Sequence, residues 1–173
     1  MVYIHDLDLD HQGRPVILYT TAASFQPGPE SDPRWWTIAH WTGKSWDYRE
    51  VTRANHNYST GSLYVEDGQW RIIGPTERGP QPIGGGGEVG IWASSDEGRT
   101  WTKVRDVTRR SPRNHNYVRR PVNAHPDFYA FWADGNPDQL SPSYLYFTNQ
   151  PGDRVWRLPY DMPSDFAKPE LVR

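Results

Sequence analysis

The chain has 173 residues, a length that fits one domain, and contains nine Trp, ten Tyr and no Cys. Its 19 Lys and Arg and 21 Asp and Glu give a net charge of −2, which argues against nucleic-acid binding, and no apolar run approaches the ~18 residues of a membrane span. Without Cys the chain has no disulfide and no thiol nucleophile, and with 14% aromatic residues it is predicted to fold rather than to remain disordered.

The N-terminal segment, MVYIHDLDLD, is acidic and lacks the pattern of a signal peptide. Asp6, Asp8 and Asp10 alternate in the manner of a calcium-binding loop, but Ile17 stands where such a loop has its bidentate Glu. We therefore expect no EF-hand, no catalytic metal and no required cofactor. A structural calcium ion would still be compatible with the composition.

Further along the chain, the apolar pattern is that of short strands. The runs are rich in β-branched or aromatic residues and are bounded by Gly, Asp, Asn and Pro: 14–19, 70–73, 128–132 and 144–147. No window keeps the spacing of an amphipathic helix. Segment 74–87, GPTERGPQPIGGGG, has no strand character and is predicted to be a long loop, a kind of segment that often carries function. The sequence therefore predicts an all-β protein.

An internal repeat is the strongest signal in the sequence. Trp46, Trp101 and Trp156 are 55 residues apart and end similar short units, TGKSW, DEGRTW and PGDRVW. The tetrapeptide NHNY occurs at 55–58 and again at 114–117. We divide the chain into three repeats, about 1–52, 53–108 and 109–160, followed by a C-terminal tail over 161–173. About four strands fit into each repeat, as in the four-stranded antiparallel blade of a β-propeller.

One unit of the second repeat resembles a known propeller turn. The residues SSDEGRTW at 94–101 match the S-x-D-x-G-x-T-W Asp-box of BNR (sialidase-type) β-propellers at every defined position. The pattern has a physical basis, because an Asp side chain can bind backbone amides across a tight turn while Gly takes a positive φ and Trp packs between strands. Asp96 is therefore expected to be structural rather than catalytic.

A narrower resemblance covers almost the whole chain. Segments 56–82, 86–101 and 114–136 are similar to bacterial propeller polysaccharide lyases of the ulvan lyase and L-rhamnose–glucuronate lyase type. The resemblance implies a seven-bladed propeller that binds a polysaccharide or oligosaccharide and cleaves a uronic-acid linkage by β-elimination. It also implies a secreted or periplasmic location, which the residues themselves do not reveal.

Three blades do not close a ring, since propellers have about 4–8. We therefore expect this chain to be the C-terminal part of a longer propeller, or to self-associate to complete one. In either arrangement, the segments that lead into the innermost strands converge near the central axis, where they can form a shared pocket.

The candidate site residues come from these converging segments and from the long loop. The predicted catalytic residues are His56, Tyr58, His115, Tyr117, Arg119 and Arg120. The predicted substrate-binding residues are His5, Arg53, Glu77 and Gln81.

Each residue type suits one part of a β-elimination. Arg119 or Arg120 would neutralise the uronate carboxylate, and strand alternation points only one of them inward. Tyr58 or Tyr117 would act as base and acid if a nearby cation favours the phenolate. His56 and His115 would serve as base or as hydrogen-bond donors to the carboxylate. Because NHNY is repeated, its His and Tyr side chains could instead join one blade to the next through buried hydrogen bonds.

Two other functions fit an all-β propeller of this composition. A sialidase-like glycoside hydrolase would need paired carboxylates, or Tyr with Glu, around an Arg cluster. A non-catalytic carbohydrate-binding propeller fragment would bind sugar without turnover. The single Arg pair and the scarcity of acids near the axis favour the lyase over the hydrolase.

Overall fold

The computed structural model describes residues 1–26, 28–82 and 84–173. In these residues the chain forms thirteen strands in three antiparallel sheets and a 3₁₀ turn over Pro29–Ser31. The first blade contains β1 (Val2–Leu9), β2 (Pro15–Thr21), β3 (Arg34–Trp41) and β4 (Trp46–Ala54). The second contains β5 (Ser62–Glu66), β6 (Gln69–Pro75), β7 (Val89–Ser94) and β8 (Thr102–Asp106). The third contains β9 (Asn114–Arg119), β10 (Ala130–Gly135), β11 (Leu145–Thr148), β12 (Val155–Arg157) and β13 (Glu170–Leu171).

Each sheet keeps its strands in chain order, which confirms the predicted all-β architecture of antiparallel blades. The third blade has a fifth strand, because β13 pairs with β12 through Trp156–Leu171 and Arg157–Glu170. The segment expected to be a C-terminal tail thus contributes to the third sheet. No helix in the described ranges is long and apolar enough to cross a membrane.

Two apolar cores hold neighbouring blades together. Between the first and second blades, Leu18, Trp36 and Ile38 pack with Leu63 and Ile72. Between the second and third blades the core is formed by ten buried side chains: Tyr64, Ile73, Val89, Ile91, Val107, Val118, Tyr129, Ala130, Trp132 and Val155. Both faces of the second blade are therefore buried, as expected for an internal blade of a propeller.

The alternating aspartates of β1 bind the edge of the second blade. Asp6 Oδ2 accepts a hydrogen bond from the backbone N–H of Leu63 at 2.8 Å, and Asp8 Oδ2 accepts one from Val65 at 3.0 Å. Edge N–H groups of a strand alternate in direction, so carboxylates two residues apart on β1 match N–H groups two residues apart on β5. Two aspartates of the pattern that resembled a calcium loop are explained by this contact between blades, and Asp10 instead accepts hydrogen bonds from the backbone N–H groups of Gln12 and Arg14 in the following turn.

The turn between β7 and β8 has the hydrogen bonds expected from its sequence. Asp96 accepts from the backbone N–H of Thr100 at 2.9 Å and from its hydroxyl at 2.6 Å, and Ser94 donates to Asp96 at 2.7 Å. Gly98 has a φ of +78°, and the Trp101 indole N–H donates to its carbonyl at 3.0 Å. The hydrogen bonds from Thr100 lower the pKa of Asp96 to about 2.

The long loop predicted over 74–87 starts slightly later, because Gly74 and Pro75 continue β6. Ile83, within this loop, lies outside the described residues. The loop is attached to the start of β9, where Gly86 and His115 exchange backbone hydrogen bonds of 2.9 and 3.2 Å. It is therefore positioned by the third blade as well as by the second.

Candidate functional site

A bulge in β9 shapes the candidate site. Phe131 pairs with Arg119 and Ala133 pairs with Asn116, so β9 has one more residue than its partner strand over this interval. Tyr117 lies in the bulge with a φ of +55°. A bulky side chain rarely adopts this left-handed conformation, and such residues cluster where function demands a particular orientation. The bulge leaves both Tyr117 and Arg119 exposed to solvent.

Arg119 connects the third blade to the second. Its Nη1 donates to Thr60 Oγ1 at 2.9 Å, and its guanidinium carbon lies 5.8 Å from the centre of the Tyr117 ring. In the described part of the chain, Arg119 forms no salt bridge with a carboxylate. The guanidinium therefore keeps donors available for an anionic ligand, in the planar geometry that suits a carboxylate.

Tyr58 lies in the segment 55–61 that connects β4 to β5, the segment that also contains Thr60. The backbone N–H of Thr60 donates to the Tyr58 carbonyl at 2.9 Å, and Val118 N–H donates to the Thr60 carbonyl at 3.1 Å. The Tyr58 side chain is 42% exposed and meets the Tyr3 ring edge-on at 5.9 Å. We call Tyr58, Thr60, Tyr117 and Arg119 the Tyr–Arg site.

The end of the molecule next to Tyr58 and Thr60 can be defined from the connections between blades. Segments 55–61 and 107–113 both run from the last strand of one blade to the first strand of the next. They therefore lie at the same ends of the sheets, which we call the connection face. The loop 136–144 lies there too, because Gly135 at the end of β10 pairs with Asn114 at the start of β9.

His56 is buried behind the Tyr–Arg site, with 1% of its surface exposed. Its Nδ1 faces the backbone N–H of Tyr58 at 3.1 Å, and its Nε2 faces that of Gly84 at 2.7 Å. Burial, together with the charge of Arg34, lowers the pKa of His56 to about 4. The ring is therefore uncharged near neutral pH and links the connecting segment to the long loop.

His115 and His5 are buried in the same manner. The Trp132 indole can only donate, and it reaches His115 Nδ1 at 3.1 Å, so the ring proton belongs on Nε2, 2.8 Å from Ser111 Oγ. Burial lowers the pKa of His115. His5 contacts Thr20 Oγ1 at 2.7 Å and accepts from Gly61 N–H at 3.3 Å. The hydrogen bonds of the His115 ring stay within the third repeat, whereas the His5 contact with Gly61 crosses from the first blade to the segment that leads into the second.

Arg120 points away from the Tyr–Arg site. Its Nη1 pairs with Asp8 of the first blade, and its guanidinium lies 5.7 Å from the Tyr64 ring. Of the two arginines left open by the sequence, Arg119 is the one next to Tyr117. Arg53 lies on the outer strand β4, exposed, with its guanidinium 4.6 Å from the Trp35 ring.

The two candidates from the long loop have partners of their own. Glu77 pairs with Lys103 on β8 at 2.5 Å. The Gln81 side chain accepts from Asn114 N–H at 2.9 Å and donates to the Pro112 carbonyl at 3.0 Å, which holds the loop against β9. Neither residue is in contact with Tyr58, Tyr117 or Arg119. No group of three His, Cys, Asp or Glu side chains suitable for a metal ion occurs in the described residues.

Sequence reasoning missed two residues that support the site. Thr60, which receives the Arg119 hydrogen bond, occupies a non-repeated position and gave no signal. Arg34 is fully buried at the start of β3, where it donates to Asn57 at 2.5 Å and to the Gly28 carbonyl at 2.6 Å. It thereby anchors the segment that carries Tyr58. An Arg within an aromatic strand is not distinguishable in sequence from an exposed one.

Comparison with known proteins agrees with this architecture. No protein family description matches the chain, and no curated protein matches it. Among solved structures, it is similar to a PL25 ulvan lyase of the polysaccharide lyase class, at a TM-score of 0.66 and 20% identity over 86% of this chain and 32% of the lyase. An ulvan lyase bound to -[GlcA(1-4)Rha3S]- matches with a TM-score of 0.66 and 19% identity, over the same shares of the two chains. The phage phi92 endosialidase matches with a TM-score of 0.53 and 12% identity, over 86% of this chain and 23% of the endosialidase.

These similarities show the fold of the chain. Three antiparallel sheets in propeller order, together with neighbours of propeller fold, identify an all-β protein built of β-propeller blades. The chain spans about a third of the length of the lyases it matches.

Proposed function

We propose that this chain is part of a carbohydrate-active propeller that cleaves a uronic-acid-containing polysaccharide by β-elimination at the Tyr–Arg site. The observation that carries the proposal is the exposed Tyr117 beside Arg119, whose guanidinium has no carboxylate partner in the described residues. Exposed Tyr58 lies two residues before Thr60, which accepts the Arg119 hydrogen bond. The fold similarity to an ulvan lyase bound to a glucuronate-containing oligosaccharide supports this choice of substrate class.

Arg119 would act on the uronate carboxylate. A bidentate pair of guanidinium and carboxylate offsets the negative charge that otherwise opposes loss of the C5 proton. Thr60 holds the guanidinium from the side of the second blade, which fixes its orientation before substrate arrives. Arg119 is therefore the residue that binds and activates the substrate.

The two tyrosines would move the protons. One tyrosine, as phenolate, takes the proton from C5 of the uronate. The C4–O4 bond then breaks and a C4–C5 double bond forms. A tyrosine hydroxyl donates a proton to the departing O4. The same tyrosine can perform both transfers, in which case it returns to its starting state. With two tyrosines, a proton must pass between them before the next cycle. The Arg119 guanidinium lies 5.8 Å from the centre of the Tyr117 ring, so the cation that binds the carboxylate and a tyrosine that can move a proton are neighbours.

The histidines would support this site from behind. His56 and His115 are uncharged near neutral pH; His56 is hydrogen-bonded to the backbone of Tyr58, and His115, on the same strand as Tyr117, is held by Ser111 and Trp132. In the proposal they act as positioning residues, and Arg120 joins blades through Asp8. Either further blades of a longer chain or a second copy would complete the ring around the site.

The experiment is incubation of the protein with glucuronate-containing polysaccharide while the ultraviolet absorbance of the unsaturated product is followed. We expect absorbance to rise with the wild-type protein, and to stay flat with Arg119→Ala. Arg99→Ala is a matched control, because Arg99 is exposed on the turn between β7 and β8 at the other end of the sheets. Equal rates for the Arg119 variant and wild type would refute the assignment.

The similarity to an endosialidase makes a glycoside hydrolase the second candidate. Such an enzyme needs an acidic residue at the site to donate a proton or activate a nucleophile. Among the described residues, no carboxylate hydrogen-bonds to or pairs with Tyr58, Tyr117 or Arg119. The lyase therefore fits the local chemistry better than the hydrolase.

A further inference from the structure

A cavity opens on the connection face, at the junction between the second and third blades. It has a volume of about 450 Å³ and lies between segment 107–113 and the ends of β10, β11 and β12. Its polar walls include Arg109, Arg110, Tyr146 and Arg157, and Val107 and Val155 contribute apolar surface. The four residues of the Tyr–Arg site lie outside it.

The cavity has an excess of positive charge. Arg109 and Arg110 are exposed, and in the described part of the chain neither guanidinium forms a salt bridge or hydrogen bond. Arg157 adds a third cation, paired with Glu170 at 2.5 Å. Arginines that line a concave surface without partners are well placed to bind carboxylate or sulfate oxygens.

The acid in the cavity wall is already compensated. Asp134 accepts hydrogen bonds from the Tyr144 backbone at 2.8 Å and from the Tyr146 hydroxyl at 3.0 Å, and Arg113 lies 3.6 Å from it. Asp134 therefore does not neutralise Arg109 or Arg110. Its bonds instead fix the Tyr146 ring, which also stacks on Trp132 at 6.0 Å.

The segment that carries the two arginines is held in place. Glu88 accepts hydrogen bonds from the Ser111 N–H at 2.8 Å and from the Ser111 hydroxyl at 2.7 Å, and a further one from Thr108 at 2.5 Å. Arg110 itself has a φ of +55°, an uncommon conformation for a residue other than Gly. The backbone is thus fixed on both sides of Arg110 in an orientation that places two cations on the rim.

The cavity is close to the Tyr–Arg site along β9. His115 lines the cavity, and Tyr117 follows two residues later, which corresponds to about 7 Å of strand. The cavity and the Tyr–Arg site therefore both border β9, the cavity at the start of the strand and Arg119 at its end. A polysaccharide that follows β9 can contact both.

We propose that this cavity is a second saccharide subsite, in which Arg109 and Arg110 bind the carboxylate or sulfate group of a sugar unit further along the polymer. The inference rests on the proposed function for the identity of that polymer. It goes further by assigning a binding role to two residues outside the Tyr–Arg site and by predicting that affinity rises with chain length.

The test is calorimetric binding of glucuronate-containing disaccharide and hexasaccharide to the wild-type protein and to the double variant Arg109→Gln, Arg110→Gln. We expect the double variant to bind the hexasaccharide about tenfold more weakly, because it loses charge-assisted hydrogen bonds, and to bind the disaccharide as wild type does. Carboxyl-reduced and desulfated hexasaccharides identify which anion the cavity takes: the form that lacks this anion should bind the double variant and the wild type equally, and the other form should keep the tenfold difference.

The matched control is the double variant Arg99→Gln, Arg154→Gln, which removes the same charge from exposed turns at the other ends of the strands. If the cavity variant binds the hexasaccharide as tightly as wild type does, or if the control variant loses as much affinity as the cavity variant, the proposed subsite is wrong. Length-dependent binding that needs Arg109 and Arg110 but leads to no product would leave the subsite standing and refute the lyase activity. Failure of the wild-type protein to bind either oligosaccharide would overturn both.

Discussion

Arg119 on the first strand of the third blade donates a hydrogen bond to Thr60 in the segment that leads into the second blade. This contact crosses the boundary between two blades at the point where Tyr58 and Tyr117 are both exposed. Burial, together with the charge of Arg119, lowers the pKa of His5 to about 3. Arg119 therefore lies within electrostatic reach of the first blade too. The candidate site thus depends on the assembly of successive blades.

Substitutions of the neighbouring residues Arg119 and Arg120 should affect different properties of the protein, namely binding and stability. We expect Arg119→Ala to abolish uronate binding with little change in melting temperature, because its side chain is exposed. Arg120→Ala should lower the free energy of unfolding by about 2 kcal/mol, since it leaves Asp8 without its cation between blades. Thermal melting and calorimetric binding separate the two. Intact binding in the Arg119 variant would place the anion elsewhere.

Removal of the Tyr117 hydroxyl should affect chemistry and not folding. Tyr117→Phe keeps the ring beside Arg119 and is expected to lower kcat at least 100-fold, the usual scale of a lost general acid or base. Tyr160→Phe is the control, because Tyr160 is an exposed tyrosine outside the site. A kcat within a few-fold of wild type would remove Tyr117 from the proton-transfer steps.

The turn at Asp96 should confer a pH-dependent stability. Its pKa is about 2 in the folded chain against 3.8 as its ordinary value, so the stabilisation is complete above pH 4 and disappears as the pH falls to 2. Asp96→Asn should therefore melt below wild type at pH 6, and the difference should vanish near pH 2. A difference in melting temperature that persists unchanged at pH 2 would contradict the role of its charge.

The buried histidines should make stability depend on pH in a higher range, between about pH 6.5 and 4. The pKa values of His5 and His56 fall to about 3 and about 4 on folding, whereas the unfolded chain titrates near 6.5. Between pH 6.5 and 4 the unfolded state binds more protons, so the free energy of unfolding must decrease as the pH falls. Denaturant midpoints measured across this range should show the decrease, and His56→Gln should reduce its slope. An unaltered slope would mean that His56 is accessible and titrates normally in the folded chain.

The repeat made the fold predictable. Residues spaced 55 apart, short β-branched runs and turn-forming Gly and Asp all indicated four-stranded blades, and the three antiparallel sheets agree. The strand β13 gave no such signal, because Glu170 and Leu171 form a two-residue strand that depends on its pairing with β12.

The candidate site could be predicted only in part. Sequence placed Tyr58, Tyr117 and the arginine pair together because repeats superimpose, but it could not separate Arg119 from Arg120. That distinction depends on a bulge at Tyr117, where φ is +55°. The bulge shifts the alternation of the strand and has no signature in the sequence. The hydrogen bonds of the buried His56 and His115 rings likewise involve partners distant in sequence, Gly84 and Trp132.

The mass balance of the products tests the central claim most directly. A lyase adds no water, so the masses of the two fragments from a uronate oligosaccharide should sum to the mass of the substrate, and none should carry oxygen-18 when the reaction runs in labelled water. Fragments that sum to the substrate plus one water, with the label incorporated, would show hydrolysis and contradict elimination at Tyr58, Tyr117 and Arg119.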